Sequence, residues 1–336
     1  MKNEQKIYAA AGALAVVLGG LYLVQKSDKE EMIMHTPGAA SSVSLPEVKL
    51  PTDDVDKVTK IEIKNAAKGE VVLEKQGDSW KLTKPVVYPA NQQNVKSLLD
   101  NLKELKLKDT IDSGKNQYAT YELDDEKAVH VQVYKDASKS LDLFFGKSGT
   151  RGQMTRLSDK DGIYVASGYS SYLYTREIKD WRDRDVMKFE DGNVISASLT
   201  NENGPFSFSK SDDKWTGTYK GKAIPNFDPE KVKDMLRAYK ALTAEDFADD
   251  KSASDTGLDK PSMLSFTLKD NGGAQKINVG KTSTGSSRYA QKDESPTIVI
   301  LSSFAADWAA AAESKFQKPD AKDGGTDSKG DGGKKK

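Results

Sequence analysis

Two glycine–lysine–hydroxyl triplets are the stretches of this sequence that most resemble a binding motif. They are Gly146–Ser148 and Gly280–Thr282. A phosphate-binding loop needs another glycine five residues before its second glycine, so that the backbone can wrap around phosphate. Leu141 and Gln275 occupy those positions, and each triplet ends a predicted strand with no helix after it. We therefore predict strand-end turns, with nucleotide binding as the minor alternative.

Histidine, cysteine and clustered carboxylates are the residues that most metal sites and nucleophilic mechanisms require. The chain has two histidines, His35 and His130, and no cysteine, which excludes disulfides, thiolate metal sites and cysteine nucleophiles. Asp159–Gly162 resembles the opening of a calcium loop, but the later ligands are missing, so a hairpin turn is expected. Because His130 alternates with Val129 and Val131, it should lie on the polar face of a strand. We predict no catalytic residue, no metal site and no cofactor.

Aromatic side chains are further candidates for contact with a ligand. Trp80 and Trp215 could be ligand platforms, yet their matching positions in two similar segments favour packing of a sheet against a helix. Tyrosines gather in one region of the chain, and they are Tyr164, Tyr169, Tyr172 and Tyr174. They could stack on a sugar or a peptide, but packing within strands and helices is the expected role.

The elements that position these residues occur twice along the chain. Trp80 precedes one amphipathic pattern and Trp215 precedes a second pattern of the same order. From Val95 to Asp109, every apolar position maps onto the second copy by one constant shift, the separation of Val95 from Val232. Self-similarity at a fixed spacing is typical of tandem repeats.

Each apolar pattern predicts one helix that faces a core. The apolar positions recur at i, i+3, i+4, i+7 and i+10, which places them in one stripe along a helix. They are Val95, Leu98, Leu99, Leu102 and Leu105 in the first copy, and Val232, Met235, Leu236, Tyr239 and Leu242 in the second. Asn91 and Asp228 are the expected N-caps, and Pro229 suits the first helical position. A helix that binds a partner in a groove is the alternative.

Segments with strand periodicity surround each predicted helix. In the first copy they lie at 61–63, 71–73, 129–133, 141–145, 154–157 and 163–165. Short closing helices are predicted at 169–178 and 304–316. The sequence therefore predicts an α+β fold, with two tandem repeats that each pack a mainly antiparallel sheet on an amphipathic helix.

Composition divides the chain into five segments. Two repeats, at 58–191 and 192–317, form the predicted body. The other three are a stub and transmembrane anchor at 1–26, an extended tether at 27–57, and a disordered Lys/Asp/Gly tail at 318–336.

The anchor prediction rests on the uncharged segment Ile7–Val24, which lies between Lys6 and Lys26. As a helix it would span roughly 27 Å, close to the hydrocarbon thickness of a bilayer. No small-x-small cleavage site follows it, so an uncleaved anchor is favoured over a signal peptide. Lysines are balanced on the two sides, so the positive-inside rule hardly decides orientation. A short N-terminal tail before a large body favours a body outside the cytoplasm.

The charge balance bears on the class of partner. Among 336 residues, Lys+Arg and Asp+Glu both number 51, so the formal net charge is zero. A nucleic-acid binder normally has a basic excess or a basic stripe. We therefore expect a membrane span and protein partners, and no nucleic acid.

The segment Trp181–Asp185 alternates charge beside a tryptophan at the point where the two copies join. This composition favours a clasp between the repeats over a solvent-exposed linker. Trp181, Arg182 and Arg184 are its candidate residues.

Several short motifs together give a resemblance to a known family. They are the Trp–Pro–helix unit, the segments Tyr121–Asp124 and Thr256–Asp259, the Leu-x-x-Gly-Lys strand ends and the junction Arg182–Arg184. With these motifs in this order, the chain resembles the bacterial family called domain of unknown function 4340. The resemblance covers Val58 to Phe316 and the N-terminal anchor. The resemblance implies a periplasmic body on one membrane helix, often beside gliding-type ABC transporter components. It implies no catalytic residue.

Two functions from different classes remain. The first is a membrane-anchored, extracytoplasmic, non-enzymatic binding or scaffold protein of the bacterial inner membrane, accessory to an envelope complex such as a gliding-type ABC transporter. The alternative is an envelope hydrolase or a glycan- or peptide-binding module. The shortage of histidine, the absence of cysteine and the lack of a nucleophile motif favour the first.

Overall fold

The structure, a computed structural model, describes residues 45–46, 52–269, 272–293 and 295–319. The anchor predicted at Ile7–Val24, most of the predicted tether and the predicted tail beyond Pro319 lie outside these residues. Within the described part of the chain, no helix is long and apolar enough to cross a membrane.

Strands make up most of the described structure. In chain order, the first ten are β1 (Val58–Asn65), β2 (Gly69–Gln76), β3 (Ser79–Lys84), β4 (Tyr88–Pro89), β5 (Lys106–Asp112), β6 (Val129–Lys135), β7 (Ser138–Gly149), β8 (Gly152–Leu157), β9 (Ile163–Ser167) and β10 (Asp185–Lys188). The next ten are β11 (Val194–Asn201), β12 (Gly204–Ser211), β13 (Lys214–Tyr219), β14 (Lys222–Ala223), β15 (Ala241–Thr243), β16 (Asp246–Phe247), β17 (Ser262–Leu268), β18 (Ala274–Thr282), β19 (Arg288–Lys292) and β20 (Ile298–Leu301).

Two longer helices and several single turns complete the described elements. The α-helices are α1 (Gln92–Glu104), α2 (Ser171–Tyr174), α3 (Ile178–Trp181), α4 (Pro229–Tyr239), α5 (Ala253–Thr256) and α6 (Ser303–Ala309). The 3-10 turns are Thr52–Lys57, Asp191–Asn193 and Glu313–Phe316.

Two antiparallel sheets have the same strand order, which confirms the duplicated α+β architecture. Within the described residues each has nine strands, in the orders β4-β3-β2-β1-β6-β7-β8-β9-β5 and β14-β13-β12-β11-β17-β18-β19-β20-β16. The orders become identical when β11–β14 are matched to β1–β4, β16 to β5, and β17–β20 to β6–β9. The strands β10 and β15 form a separate antiparallel pair.

Each sheet packs one face against its own amphipathic helix, as predicted. The side chain of Asn91 accepts a hydrogen bond from the amide of Asn94 at the start of α1. At the start of α4, Asp228 accepts one from the amide of Glu230, and Pro229 is the first helical residue. The apolar stripe of each helix lies in the core of its repeat. The predicted caps and core faces are therefore confirmed.

Both predicted helices end earlier than the apolar stripe suggests. The backbone of Leu105 is already extended, and the next residues form β5. In the second repeat α4 ends at Tyr239, and Leu242 lies in β15. Both leucines remain buried, because the strand that follows each helix in the chain continues its apolar face. The prediction of helix through these leucines was wrong.

The predicted closing helices are also broken. In the first repeat α2 and α3 replace one helix, and in the second α6 is followed by a 3-10 turn. The amide of Asn201 donates hydrogen bonds to the carbonyls of Ala309 and Ala311, at 3.0 and 2.9 Å. Since those carbonyls are bound by a side chain, the helix does not continue through them. The predicted turn Asp159–Gly162, by contrast, is confirmed as the link between β8 and β9.

The last residues of the predicted tether pack on the first repeat. Thr52–Lys57 forms a 3-10 turn directly before β1. Val55 in this turn is buried and belongs to the core of the first repeat. The folded part of the first repeat therefore includes this turn.

Leu99→Ala and Leu236→Ala should each lower the free energy of unfolding by roughly 2–5 kcal/mol, the range for truncating a buried leucine. Leu236 is 1% exposed and Leu99 is 8% exposed, so the change at Leu236 should cost more. Urea and thermal unfolding of the full-length chain in mild detergent would measure both. Gln93→Ala, at an exposed position of α1, is the control and should change stability by less than about 0.5 kcal/mol. An unchanged melting curve for either leucine variant would contradict helix-on-sheet packing in that repeat.

Candidate functional site

The glycine–lysine triplets lie at matching irregularities of two strands. The register between β7 and β8 shifts after Phe145, and that between β18 and β19 shifts after Val279. A β-carbon added to Gly146 would lie 2.1 Å from the carbonyl oxygen of Tyr121, and one added to Gly280 would lie 2.1 Å from that of Thr256. Glycine is therefore required at both positions because another segment of backbone lies directly against the strand.

A backbone hydrogen bond holds that segment in place in the first repeat, and side chains of the neighbouring strands bind the glycine carbonyls of both triplets. The amide of Lys147 donates to the carbonyl of Tyr121 at 3.0 Å. The carbonyl of Gly146 accepts from the side chain of Gln153 at 2.5 Å, and the carbonyl of Gly280 accepts from Arg288 at 3.2 Å. In the first repeat the triplet thus docks a crossing segment onto the sheet. Gly280–Thr282 ends β18, as predicted, but Gly146–Ser148 lies within β7, which continues to Gly149, so the predicted turn at the first triplet was wrong.

His130 lies on the polar face of β6, as predicted. Its ring stacks on Phe144 with centroids 3.9 Å apart, and its Nε2 lies 2.6 Å from Asp142. Asp142 also accepts hydrogen bonds from Gln132 and Lys139. Burial raises the pKa of the Asp142 carboxyl, but the hydrogen bonds from Lys139 and His130 outweigh it and lower the pKa. Within the described part of the chain, no group of three His, Cys, Asp or Glu side chains could hold a metal ion.

The two repeat tryptophans are core residues, which confirms the packing prediction. Trp80 and Trp215 are both buried in the cores of their repeats. Each also lines a surface cavity. The cavity beside Trp80 has a volume of about 520 Å³ and includes Asn91, Asp183 and Asp185, so it opens beside the segment that connects the repeats.

The connecting segment first binds the start of α1. The amide of Asn91 donates to the carbonyl of Trp181, and the amide of Asp183 donates to the carbonyl of Pro89, both at 2.8 Å. Ala90 and Arg182 form an antiparallel bridge between these bonds. The side chain of Trp181 is buried in the core of the first repeat. The first half of the connecting segment therefore belongs structurally to the first repeat.

The second half of the connecting segment binds the second repeat. The side chain of Arg184 donates to the carbonyl of Ala244 at 2.6 Å, and the amide of Ala244 donates to the carbonyl of Arg184 at 2.8 Å. The ladder between β10 and β15 continues this pairing. Lys179 adds an ion pair with Asp246 at 3.1 Å, and the hydrogen bond that its ammonium group donates to that carboxylate raises the pKa of Lys179.

Arg182 contacts both repeats through its buried guanidinium. The group is 2% exposed and forms two hydrogen bonds with the carboxylate of Asp249, at 2.5 and 3.1 Å. It lies 4.3 Å from the ring centroid of Tyr88, in the first repeat, and 3.5 Å from that of Phe247, in the second. Burial raises the pKa of the Tyr88 hydroxyl, and the positive charge of Arg182 opposes that shift.

The sequence did not identify the residues that surround Arg182. Tyr88 and Phe247 correspond by the repeat spacing to Pro225 and Thr110. These are positions where one copy has an aromatic ring and the other does not. This difference between the two copies was the sequence signal that could have identified Tyr88 and Phe247. A residue that contacts the other repeat has a different environment in each copy, so the same residue type is not needed in both.

The end of the second repeat docks in the same way. The amide of Asp228 donates to the carbonyl of Phe316, and the amide of Lys318 donates to the carbonyl of Asn226, both at 2.8 Å. Phe227 and Gln317 form the bridge that corresponds to Ala90 and Arg182. Docking of the closing segment on the helix start is therefore part of each repeat, whereas the guanidinium contact occurs at the first copy.

A comparison with known families agrees with this duplicated architecture. The profile described as domain of unknown function (DUF4340) matches residues 80–261 and, a second time, residues 227–322. The chain belongs to this family. Its membership confirms the resemblance seen in the sequence, and the second match reflects the duplication. No curated protein and no solved structure matches the chain.

Gly146→Ala should destabilise the first repeat at the glycine–lysine triplet. The new methyl group would overlap the carbonyl of Tyr121, and overpacking of this kind costs about 1–3 kcal/mol. Gly149→Ala is the matched control, because the same strand leaves open space around that residue. Equilibrium unfolding in urea would compare the two variants. Equal stability of both would show that the crossing segment moves aside without cost.

Proposed function

We propose that this protein is a membrane-anchored, extracytoplasmic scaffold that acts by contact with other proteins and not by catalysis. The observation that carries the proposal is the environment of Arg182. One buried cation contacts an aromatic ring from each repeat and a carboxylate from the second. Such a contact gives two binding surfaces a fixed relative orientation.

The strength of this contact follows from the cost of an unpaired charge. Removing one partner of a fully buried ion pair destabilises a protein by about 3–5 kcal/mol, because the other charge remains without compensation. Arg182 is 2% exposed but Asp249 is 49% exposed, so water screens part of this pair and its contribution lies below that range. Each cation–π contact adds about 0.5–2 kcal/mol. Separation of the repeats at Arg182 would lose these interactions together. Rotation about the junction is therefore disfavoured.

Two surfaces held at a fixed angle favour multivalent binding. When one surface has engaged a partner assembly, the second is held near its own target at a high effective concentration. Two modest contacts can then produce a stable complex, provided that the geometry allows both to form. A rigid junction meets that condition for one particular arrangement of targets.

The proposed location comes from the sequence at the N-terminus. The uncharged segment Ile7–Val24 is long enough to be a single membrane anchor. The resemblance to the family implies a periplasmic body and a setting beside gliding-type ABC transporter components. We therefore propose that the partners belong to an inner-membrane complex of this kind.

A glycan- or peptide-binding module, or an envelope hydrolase, is the second candidate. The cavity beside Trp80 favours it, because this cavity combines an aromatic wall with the carboxylates Asp183 and Asp185 and the side chain of Asn91. Aromatic rings and polar groups together are suited to extended glycans and peptides.

The proposed topology places the body outside the cytoplasm. Protease added to spheroplasts should digest the body, because the membrane would not shield it, while a cytoplasmic marker protein survives. Immunoblotting before and after lysis would follow both proteins. Protection of the body until the membrane is lysed would reverse the orientation.

Arg182→Ala combined with Arg184→Ala should loosen the angle between the repeats and weaken co-purification of partners from mild detergent. Since the chain has no cysteine, spin labels at Ser138→Cys and Ser211→Cys, both exposed, would report that angle. The distance distribution should broaden while circular dichroism stays unchanged.

Arg151→Ala combined with Arg237→Ala is the matched control for the loss of two positive charges. Both arginines are more than half exposed, at 54%, so neither the angle nor the partners should change. Turnover of a glycan or peptide by the purified chain, abolished by one carboxylate substitution, would contradict action by contact and favour the enzyme.

A further inference from the structure

Three arginines of the described chain are buried to nine-tenths or more. Arg156 is 8% exposed, pairs with Asp125 and donates to the carbonyl of Leu123 at 2.7 Å. Arg182 pairs with Asp249. Arg176 is 9% exposed, and within the described residues it forms neither an ion pair nor a hydrogen bond, with Nε fully buried.

Burial without a counter-charge is unfavourable for a guanidinium. The group lies 4.5 Å from the ring centroid of Tyr172 and 5.6 Å from that of Trp181. Contact with these rings offsets part of the free energy that the guanidinium loses when it leaves water. The rings do not replace the hydrogen-bond acceptors that its five N–H groups require. The neighbouring carboxylate of Glu177 is engaged by Lys68 at 3.1 Å and by Lys179 at 3.6 Å. Within the part of the chain that the structure describes, Arg176 is therefore a buried cation without an anionic partner.

The fold itself does not require an arginine here. Trp181 corresponds to Phe316 in the second repeat, because the carbonyl of each accepts a hydrogen bond from the amide of the residue that caps a repeat helix. Five residues before Phe316 lies Ala311, which is buried in the core of the second repeat. The same closing segment thus packs with a methyl group where the first repeat has Arg176. The charge is an addition to the first repeat and not a condition for its packing.

Tyr172 provides a second observation at the same place. The sequence predicted that this ring packs within the protein, but the ring is 64% exposed and lies 4.5 Å from the guanidinium. The prediction was wrong for this tyrosine. Exposed tyrosine beside arginine is a combination enriched at protein interfaces, where the ring contributes contact area and the guanidinium binds a carboxylate.

We propose that Arg176 and Tyr172 form a docking point for an acidic side chain of a partner protein. The guanidinium binds the carboxylate of an aspartate or glutamate, and the ring of Tyr172 packs on the residues that flank it. A small free anion would leave the exposed ring without a contact, so the proposal commits to a protein segment. This inference rests on the proposed function, because it assumes that the ligand belongs to a partner protein. It adds that the partner presents an acidic side chain.

The test uses the full-length chain in mild detergent at low ionic strength. N-acetylated hexaglutamate is the probe, hexaglutamine the neutral control and inorganic phosphate the free-anion control. Calorimetric titration measures affinity and thermal unfolding measures stability. The variants are Arg176→Met and Tyr172→Ala, with Arg237→Met as the control for loss of one exposed positive charge.

Hexaglutamate should bind saturably, and Arg176→Met should weaken its affinity by about tenfold or more, as expected for loss of a charge-assisted hydrogen bond. Tyr172→Ala should weaken affinity less, and Arg237→Met should not change it. In the absence of peptide, Arg176→Met should keep or raise the melting temperature, because it removes an unpaired buried charge. Arg182→Met should lower that temperature, because it leaves Asp249 without its partner.

Either of two results would overturn the proposal. One is equal binding of hexaglutamate by the wild type and Arg176→Met, together with a lowered melting temperature for the variant, which would make Arg176 a packing residue. The other is phosphate binding at least as tight as hexaglutamate binding. Since these titrations contain no partner complex, their failure is distinguishable from failure of the co-purification test at Arg182 and Arg184.

Discussion

The guanidinium of Arg182 is desolvated at the junction of the two repeats and contacts both of them. A cation removed from water is stable where a carboxylate and polarisable faces replace its hydration. Here the carboxylate of Asp249 and the ring of Phe247 come from the second repeat, and the ring of Tyr88 comes from the first. Neither repeat supplies the whole environment. The backbone bonds of the connecting segment then hold Arg182 at the one position where all three groups reach it.

The helices were predictable because their determinants are local. A stripe of apolar residues at helical spacing and the caps Asn91 and Asp228 act over a few residues, so the sequence specifies them without knowledge of the fold. The ends of the helices were not predictable in the same way. Leu105 and Leu242 continue the apolar stripe although their backbone is extended, because strand and helix share one buried face there. At the end of the last helix, the side-chain amide of Asn201 binds the carbonyls of Ala309 and Ala311, which are distant from it in sequence.

The candidate site was predictable in part. Charge alternation beside Trp181 pointed to a contact between the repeats, and Arg182 and Arg184 do bind the second repeat. Their partners lie far along the chain and in positions where the two copies differ, so periodicity contained no signal for them. The glycine–lysine motif gives the opposite case. The motif marks the close approach of Gly146 to Tyr121 and of Gly280 to Thr256, which explains why the glycine occurs in both repeats of this chain.

The bridge at Gln317 has a consequence for copy number. Gln317 occupies the place of Arg182, and Pro225 the place of Tyr88, so the second repeat offers neither the cation nor the ring that a following unit would need. A further duplication at this end would therefore lack the guanidinium contact that joins the present two repeats. Growth beyond two would require new side chains at these positions before new copies could form that contact.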